Sequence, residues 1–253
     1  MAEHAKATIS GYIHDDIEES YTQMLLSDVW VNIDAVGENS ESETLLLGLV
    51  TSFSLDSNLH QKKLTLEIMG GTYLMDLKQH FRTFQDKNIG YDEISNVIGK
   101  QYPDYSVIFT PEARQPAGEF IMQYQETDWA FMKRMASRLG MTLTPCFFLK
   151  GCNYYFDRDK QKLREPDASV SYKIVKEMNE YFCRDATGEI DGLREWDCTT
   201  VVFSSREIYD IWDYIDFHGM ELYIYKIDTA YTGHEFIHTY TAKTRHGIQK
   251  LHI

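Results

Sequence analysis

The sequence has few of the features that mark nucleic-acid-binding or membrane proteins. Only 25 of its 253 residues are Lys or Arg, against 39 Asp and Glu, so the formal net charge is −14. Because phosphate binding needs clustered basic side chains, no sequence-specific nucleic acid is expected as a partner. The chain has no run of about 18 apolar residues, which predicts no membrane span. The N-terminus has no basic segment followed by an apolar segment, so no signal peptide is predicted.

Cysteine and proline are also scarce, at four and five residues. Cys146, Cys152, Cys183 and Cys198 include no Cys-x-x-Cys pair, and without an export signal reduced thiols in a cytosolic setting are expected. The sequence contains neither the Gly-x-Ser-x-Gly turn of many serine hydrolases nor the glycine-rich phosphate-binding loop of many nucleotide-hydrolysing enzymes. No motif therefore predicts either of these enzyme classes.

Aromatic residues are abundant, at 13%, and favour pleated, half-buried surfaces. Apolar and polar residues alternate at 29–34 and again at 64–68, and a more continuous apolar stretch covers 45–55. This period of two predicts strands, and the polar segments between them predict an antiparallel meander or barrel.

The middle of the chain changes to a helical period. Apolar residues from Tyr91 to Tyr102 form one stripe that ends before Pro103. A second helix is predicted over 128–139, with Thr127 as its N-cap and Gly140 just past its end. The stretches 141–148 and 152–156 then predict a hairpin.

A polar, charged segment over 157–169 is interpreted as a solvated linker, after which β structure returns. There, a long strand at 222–231, a tight turn and a return strand at 234–240 resemble the layout of 47–55 and 64–68. The residue identities do not align, so the similarity indicates a shared layout and no proven repeat.

One motif points to a different function. His234-Glu235-Phe236-Ile237-His238 matches the His-Glu-x-x-His pattern of zinc proteases, which requires both histidines on one face of a helix. Turn and strand residues flank the motif here. On a strand, residues four apart lie roughly 13 Å from each other at about 3.3 Å per residue, too far to share one zinc ion. A zinc metallohydrolase that uses His234, Glu235 and His238 is kept as the alternative hypothesis, although the strand-like flanks of the motif argue against it.

Two aromatic clusters, at 154–156 and 209–214, leave a third hypothesis open. They are typical of a sugar-stacking surface or, more commonly, of a core and subunit interface. A carbohydrate-binding β protein would be expected to be a monomer.

The segment from Gln123 to Gly140 carries a resemblance. It reads Gln-Tyr-Gln-Glu-Thr-Asp-Trp-Ala-Phe-Met-Lys-Arg-Met-Ala-Ser-Arg-Leu-Gly and resembles the signature of VgrG-type spike proteins and phage late-control-D proteins. In that family Gln-Tyr-x-Glu-(Thr/Ser)-Asp-(Trp/Phe) precedes a short amphipathic helix. The strand Gly48-Leu49-Val50-Thr51 and the segment Arg82-Thr83-Phe84-Gln85 are similar to flanking parts of the same pattern.

The resemblance implies a mainly β fold with an α+β insertion, in which two β-barrel domains flank a small α/β domain, as in phage baseplate hubs. The implied domains are a first barrel over 1–80, an α/β domain over 81–160 that contains the helix 128–139, and a second barrel over 161–253. Family members commonly continue into an OB-fold and a β-helical needle, and this sequence ends at Ile253 before either.

The resemblance further implies a non-enzymatic hub subunit of a contractile injection machine. Its expected partners are two further copies in a homotrimer, the hexameric tail tube, a spike or OB-fold and needle protein, and other baseplate proteins. Assembly in the bacterial cytoplasm and then residence in a phage tail or injection particle are expected. No catalytic, cofactor-binding or metal-binding residues and no cofactor are predicted.

Overall fold

The computed structural model describes residues 3–14, 28–36, 42–57, 61–166, 171–188 and 192–249. Within these ranges, no helix has the length and apolar character needed to cross a membrane.

The N-terminal part forms one antiparallel sheet of four strands in the order β1-β4-β3-β2. The strands are β1 (Lys6–Ile13), β2 (Trp30–Val36), β3 (Ser42–Ser57) and β4 (Lys62–Gly70). Its core consists of Leu46 in β3 and of Leu64, Leu66 and Ile68, which alternate with more exposed residues along β4. The three strands predicted from the alternation are confirmed, and β1 is an additional strand.

The middle part combines two small sheets with two helices. A 3₁₀ turn at Gly71–Asp76 leads into it, and a second 3₁₀ turn lies at Pro111–Arg114. Its elements are β5 (Gln79–Phe84), α1 (Tyr91–Gly99), β6 (Ser106–Phe109), β7 (Ile121–Thr127), α2 (Asp128–Arg138), β8 (Leu143–Pro145) and β9 (Asn153–Phe156). β5 pairs with β7, and β6, β9 and β8 form the other sheet.

The C-terminal part is a six-stranded sheet in the order β10-β13-β14-β15-β12-β11. Its elements are β10 (Leu163–Arg164), β11 (Tyr172–Lys176), α3 (Met178–Thr187), a 3₁₀ turn (Glu195–Cys198), β12 (Thr199–Ser205), β13 (Tyr214–Phe217), β14 (Met220–Tyr231), β15 (Phe236–Lys243) and α4 (Arg245–Ile248). The rings of Tyr172 in β11 and Phe217 in β13 lie 5.2 Å apart, so the sheet curls its two sides towards each other.

The mainly β class with an α+β insertion is confirmed. The shared layout of the two long hairpins is also confirmed, because β3–β4 and β14–β15 are both antiparallel pairs whose long strand shifts register once. The bulges lie between Val50 and Ser52 and between Ile224 and Lys226. The division into domains at 80 and 160 stays a prediction.

The interpretation of 157–169 as a solvated linker holds for residues 159–163 and 165, which are exposed, but it is wrong for the first two residues. Asp157 and Arg158 are both buried. Arg245 donates to Asp157 at 2.8 Å, and Arg158 donates to Asp210 at 2.7 Å. Residues 163–164 form β10, which pairs in parallel with β13. The partners are 88 and 52 positions away, so no local pattern could reveal that these charges are paired. Residues 167–169 lie outside the described residues.

Candidate functional site

The signature segment forms the junction of β7 and α2. Thr127 has extended backbone angles, and its hydroxyl accepts a hydrogen bond from the amide of Ala130 at 3.2 Å. Gly140 adopts a positive φ of 65° just past the helix, a conformation that costs glycine little. The predicted cap and terminator are confirmed, and the helix ends at Arg138, one residue earlier than expected.

Asp128, the first residue of α2, lies at the centre of a buried polar network. Its side chain is fully buried. Its oxygens form an ion pair with the Arg82 guanidinium and accept hydrogen bonds from Tyr102 Oη at 2.6 Å, Gln123 Nε2 at 2.8 Å and Gln101 Nε2 at 3.2 Å. A buried carboxylate is tolerated only where a countercharge and donors replace water, and this network supplies both.

The electrostatics of the network favour the neutral forms of Tyr102 and His80. Burial, and then the hydrogen bond to Asp128, raise the pKa of Tyr102 far above its ordinary value. Burial lowers the pKa of His80 and, together with the positive charges of Arg82 and Lys78, outweighs the charge of Asp128, which lies 3.6 Å from His80 Nε2 and raises that pKa. Arg82 is therefore the main countercharge of Asp128 at neutral pH.

A second set of contacts connects the start of α2 to the N-terminal residues. Thr127 Oγ1 donates to Asp76, and Asp76 also accepts from His4 Nε2 at 2.8 Å. Burial alone would raise the pKa of Asp76, but the hydrogen bonds from His4 and Thr127 outweigh it and hold that pKa below its ordinary value. The His4 ring also lies 5.1 Å from the Trp129 ring.

The remaining polar residues of the signature hold β7 against α2. Arg134 makes a bidentate ion pair with Glu126, at 2.8 and 2.7 Å, and donates to the carbonyl of Met122 at 2.8 Å. Trp129 and Phe131 are buried in the central core. The buried residues of the signature thus have internal structural roles. Tyr124 and Gln125 are exposed, and the Tyr124 ring packs edge-on against that of Phe81 at 5.2 Å.

The His-Glu-x-x-His motif does not have the geometry that zinc proteases need. His238 lies in β15, and His234 lies in the exposed turn before that strand. Glu235 forms an ion pair with Arg206. Across the part of the chain that the structure describes, His, Cys, Asp and Glu side chains form no group of three placed to bind a metal ion. The zinc metallohydrolase hypothesis is not supported.

His238 is instead a buried strand residue. Its Nδ1 lies 2.9 Å from Thr229 Oγ1, its Nε2 has no hydrogen-bond partner among the described residues, and burial lowers its pKa. Because the folded protein favours the neutral imidazole, His238 contributes stability above the ordinary histidine pKa of about 6.5 that is lost as the pH falls through its lower folded value.

We expect His238→Phe to reduce this acid sensitivity and to change the free energy of unfolding at neutral pH by less than about 1.5 kcal/mol, because the swap nearly conserves volume and removes an unpartnered nitrogen. Urea unfolding across a pH series measures it. His234→Gln, at the exposed end of the same motif, is the control. Equal profiles for the wild type and His238→Phe would show that His238 does not titrate on unfolding.

The aromatic clusters that suggested a sugar-binding surface lie in the interior. Tyr154, Phe156, Tyr209 and Trp212 are all buried. Tyr154 and Phe156 belong to the central core, and Tyr209 belongs to the core of the six-stranded sheet. The interpretation of these clusters as core is confirmed for these four residues, whereas Tyr155 and Tyr214 are only partly buried.

Comparison with known protein families decides the identity. The sequence model of the phage tail baseplate hub family (GPD) matches residues 15–202, well over half of the chain. The chain belongs to the phage tail baseplate hub family. The resemblance carried by the signature segment is thereby confirmed, and this hub chain is a tail or baseplate component in the broad sense that the family defines.

Solved structures share the fold of the hub chain. The E. coli c3393 protein, a type VI secretion component described as similar to the T4 bacteriophage tail proteins gp27 and gp5, has a TM-score of 0.66 at 16% identity and covers 96% of this chain and 72% of its own. A 43 kDa tail protein of prophage MuSo2 from Shewanella oneidensis has a TM-score of 0.63 at 12% identity. The match covers 96% of this chain and 90% of the tail protein. A chain of the Francisella PdpA–VgrG complex has a TM-score of 0.52 at 12% identity. The match covers 99% of this chain and 53% of the chain in that complex.

Sequence reasoning missed several members of the buried network. Tyr102 lies 26 residues before Asp128 in the sequence, and His80 lies 48 residues before it (128 − 80). Helix and strand periodicities relate only residues a few positions apart, so they could not place these side chains together. The available signal was the segment that begins at Arg82, which resembles the family pattern and contains the countercharge of Asp128. In the hub chain, that flanking segment and the signature meet in a single structural site.

Proposed function

We propose that the chain is a structural hub subunit of a contractile injection machine, which trimerises and connects a hexameric tail tube to the central spike. The observation that carries the proposal is the family match over residues 15–202 together with a signature whose polar residues serve one another inside the fold. A site that stabilises its own scaffold suits a structural subunit better than an enzyme.

The paired layout of the two outer sheets supports the connection to a tube. Each sheet contains one long hairpin, β3–β4 or β14–β15. Two similar hairpins in each of three chains would present six similar positions, which matches the symmetry of a hexameric ring. The proposal therefore assigns residues 1–80 and 161–253 to two β-barrel domains and residues 81–160 to the α/β domain.

Contacts between the central and C-terminal parts support a role in bearing load. Trp212 Nε1 donates to Thr144 Oγ1 at 2.8 Å, and the ion pair of Arg245 with Asp157 lies nearby on the same boundary. Buried hydrogen bonds and ion pairs of this kind resist bending. The two outer sheets would then keep a fixed relative position when the sheath contracts.

The proposed partners are the tail tube protein, a spike or OB-fold and needle protein, and other baseplate proteins. The fold likeness to a type VI secretion component and to a VgrG protein in complex with PdpA supports partners of this class. Assembly in the bacterial cytoplasm precedes incorporation into the particle. No catalytic step is assigned to the chain.

The connection to the tube is tested by mixing the purified chain with assembled tubes of the same system and locating the gold-labelled chain by electron microscopy. We expect label at one end of each tube. Label distributed along the tubes, or no label above that of a tube-free control grid, would contradict the proposed function.

A further inference from the structure

The core of the six-stranded sheet is open at one edge. β11 is the last strand in the sheet order, and it pairs only with β12 among the described residues. Tyr172 and Ile174 stand opposite Phe203 and Val201, which are 3% and 1% exposed. Although the Tyr172 ring packs against that of Phe217 at 5.2 Å, Tyr172 and Ile174 are 56% and 49% exposed. The core face of the sheet therefore continues into solvent at β11.

An uncovered edge of this kind needs a neighbour. A strand with unpaired backbone groups and exposed apolar side chains is a template for pairing with another strand. Proteins usually protect such an edge with charges that repel copies of the same edge. β11 has two lysines, Lys173 and Lys176, which disfavour self-pairing and select for a negatively charged partner.

The two lysines of β11 differ in whether they already form an ion pair within the described part of the chain. Lys176 forms an ion pair with Glu195 at 2.8 Å. Lys173 is exposed and has no acidic partner among the residues that the structure describes. In a chain with a net charge of −14, a basic edge strand is an exception that points to an acidic counterpart.

The N-terminal sheet of the same chain provides such a counterpart. β2 is the last strand of that sheet, and within the described ranges its outer edge is also unpaired. It contains Asp34 and no basic residue. The Asp34 carboxylate accepts hydrogen bonds from Asn32 and Thr44, both at 2.8 Å, and forms no ion pair with a described residue. β1, at the opposite edge, contains Lys6 and no acid, so charge favours β2.

Like β11, β2 has partly exposed apolar side chains on the core side of its sheet. Val31 and Ile33 stand opposite Gly48 and Leu46 on the core side of the sheet and are only partly buried. Val36, at the end of the strand, is 69% exposed. Joining the two edges would continue one core face into the other and remove these side chains from water.

We infer that β11 of one copy lies edge to edge against β2 of the next copy, with Lys173 close to Asp34. The inference rests on the proposed trimer and identifies its contact. Because the two edges differ, the contact is head to tail, and such contacts close into rings. Contact of β11 with a second β11 would instead produce a twofold dimer and place lysines side by side.

A charge swap tests the contact in the full chain. Lys173→Glu and Asp34→Lys should each weaken self-association by roughly tenfold per contact, and the double variant should recover most of the loss. Sedimentation velocity over a concentration series measures this. Lys87→Glu, the same charge change in an exposed turn of the central part, is the matched control and should associate as the wild type does.

The outcomes separate this inference from the proposed function. A wild-type trimer that neither single variant weakens, or single-variant losses that the double variant fails to restore, would overturn the β11–β2 contact and leave the hub role standing. A twofold dimer would overturn it as well. A chain that binds the ends of tubes as a monomer would also overturn the contact, whereas a chain that trimerises as expected but binds no tube would contradict only the proposed function.

Discussion

Replacing Asp128 with alanine is expected to destabilise the protein by about 3–5 kcal/mol, the usual cost of breaking a buried ion pair by removing one partner. The variant would leave Arg82 without its countercharge. It would also leave the buried donors of Tyr102 and Gln123 without their acceptor. Chemical denaturation followed by far-ultraviolet circular dichroism measures the loss.

Two comparison variants sharpen this result. Asp128→Asn preserves the shape and one acceptor oxygen but removes the charge, so its loss should be intermediate. Asp159→Ala removes an exposed aspartate whose side chain has no described partner, and it should change the free energy of unfolding by no more than about 0.5 kcal/mol. If Asp128→Ala were as mild as Asp159→Ala, the network would not be the main source of stability in the central part.

Replacing Trp212 with alanine is expected to cost about 3–5 kcal/mol, as for other large aromatic residues removed from a core. Trp212 is 2% exposed, and its ring lies 5.7 Å from that of Tyr223. Its indole nitrogen donates to Thr144 at 2.8 Å, across the boundary between the C-terminal sheet and the central part. We therefore expect calorimetry to show two separate transitions in the variant where the wild type shows one.

Trp196 provides the matched control for this variant, because it is a tryptophan of the same C-terminal part that is 47% exposed. Trp196→Ala should cost less than about 1 kcal/mol and leave the single transition intact. Two transitions in both variants, or in neither, would show that Trp212 does not couple the parts. Trp212→Phe, which keeps the ring packing but loses the hydrogen bond to Thr144, separates the two contributions.

Elements with a clear local pattern could be predicted from the sequence. Alternation identified β2 and β4, because one face of their sheet is more buried than the other. The N-cap at Thr127 and the glycine at 140 marked α2, because both act on the helix they adjoin. The signature segment supplied the family resemblance and, with it, the order of the three parts.

Elements that depend on distant partners could not be predicted. The fully buried residue of α3 is Arg184, whose guanidinium donates to carbonyls of His246 and Gln249. The position that α3 buries most is therefore a charged residue, which a search for apolar residues at helical spacing does not count. The burial of Asp157 likewise depends on Arg245, far along the chain.

The most direct test of the hub account is the solution mass of the full chain by light scattering, with zinc content measured on the same sample. The account predicts a particle of three chains without stoichiometric zinc. A monomer that binds one zinc ion would contradict it and would return attention to His234 and His238.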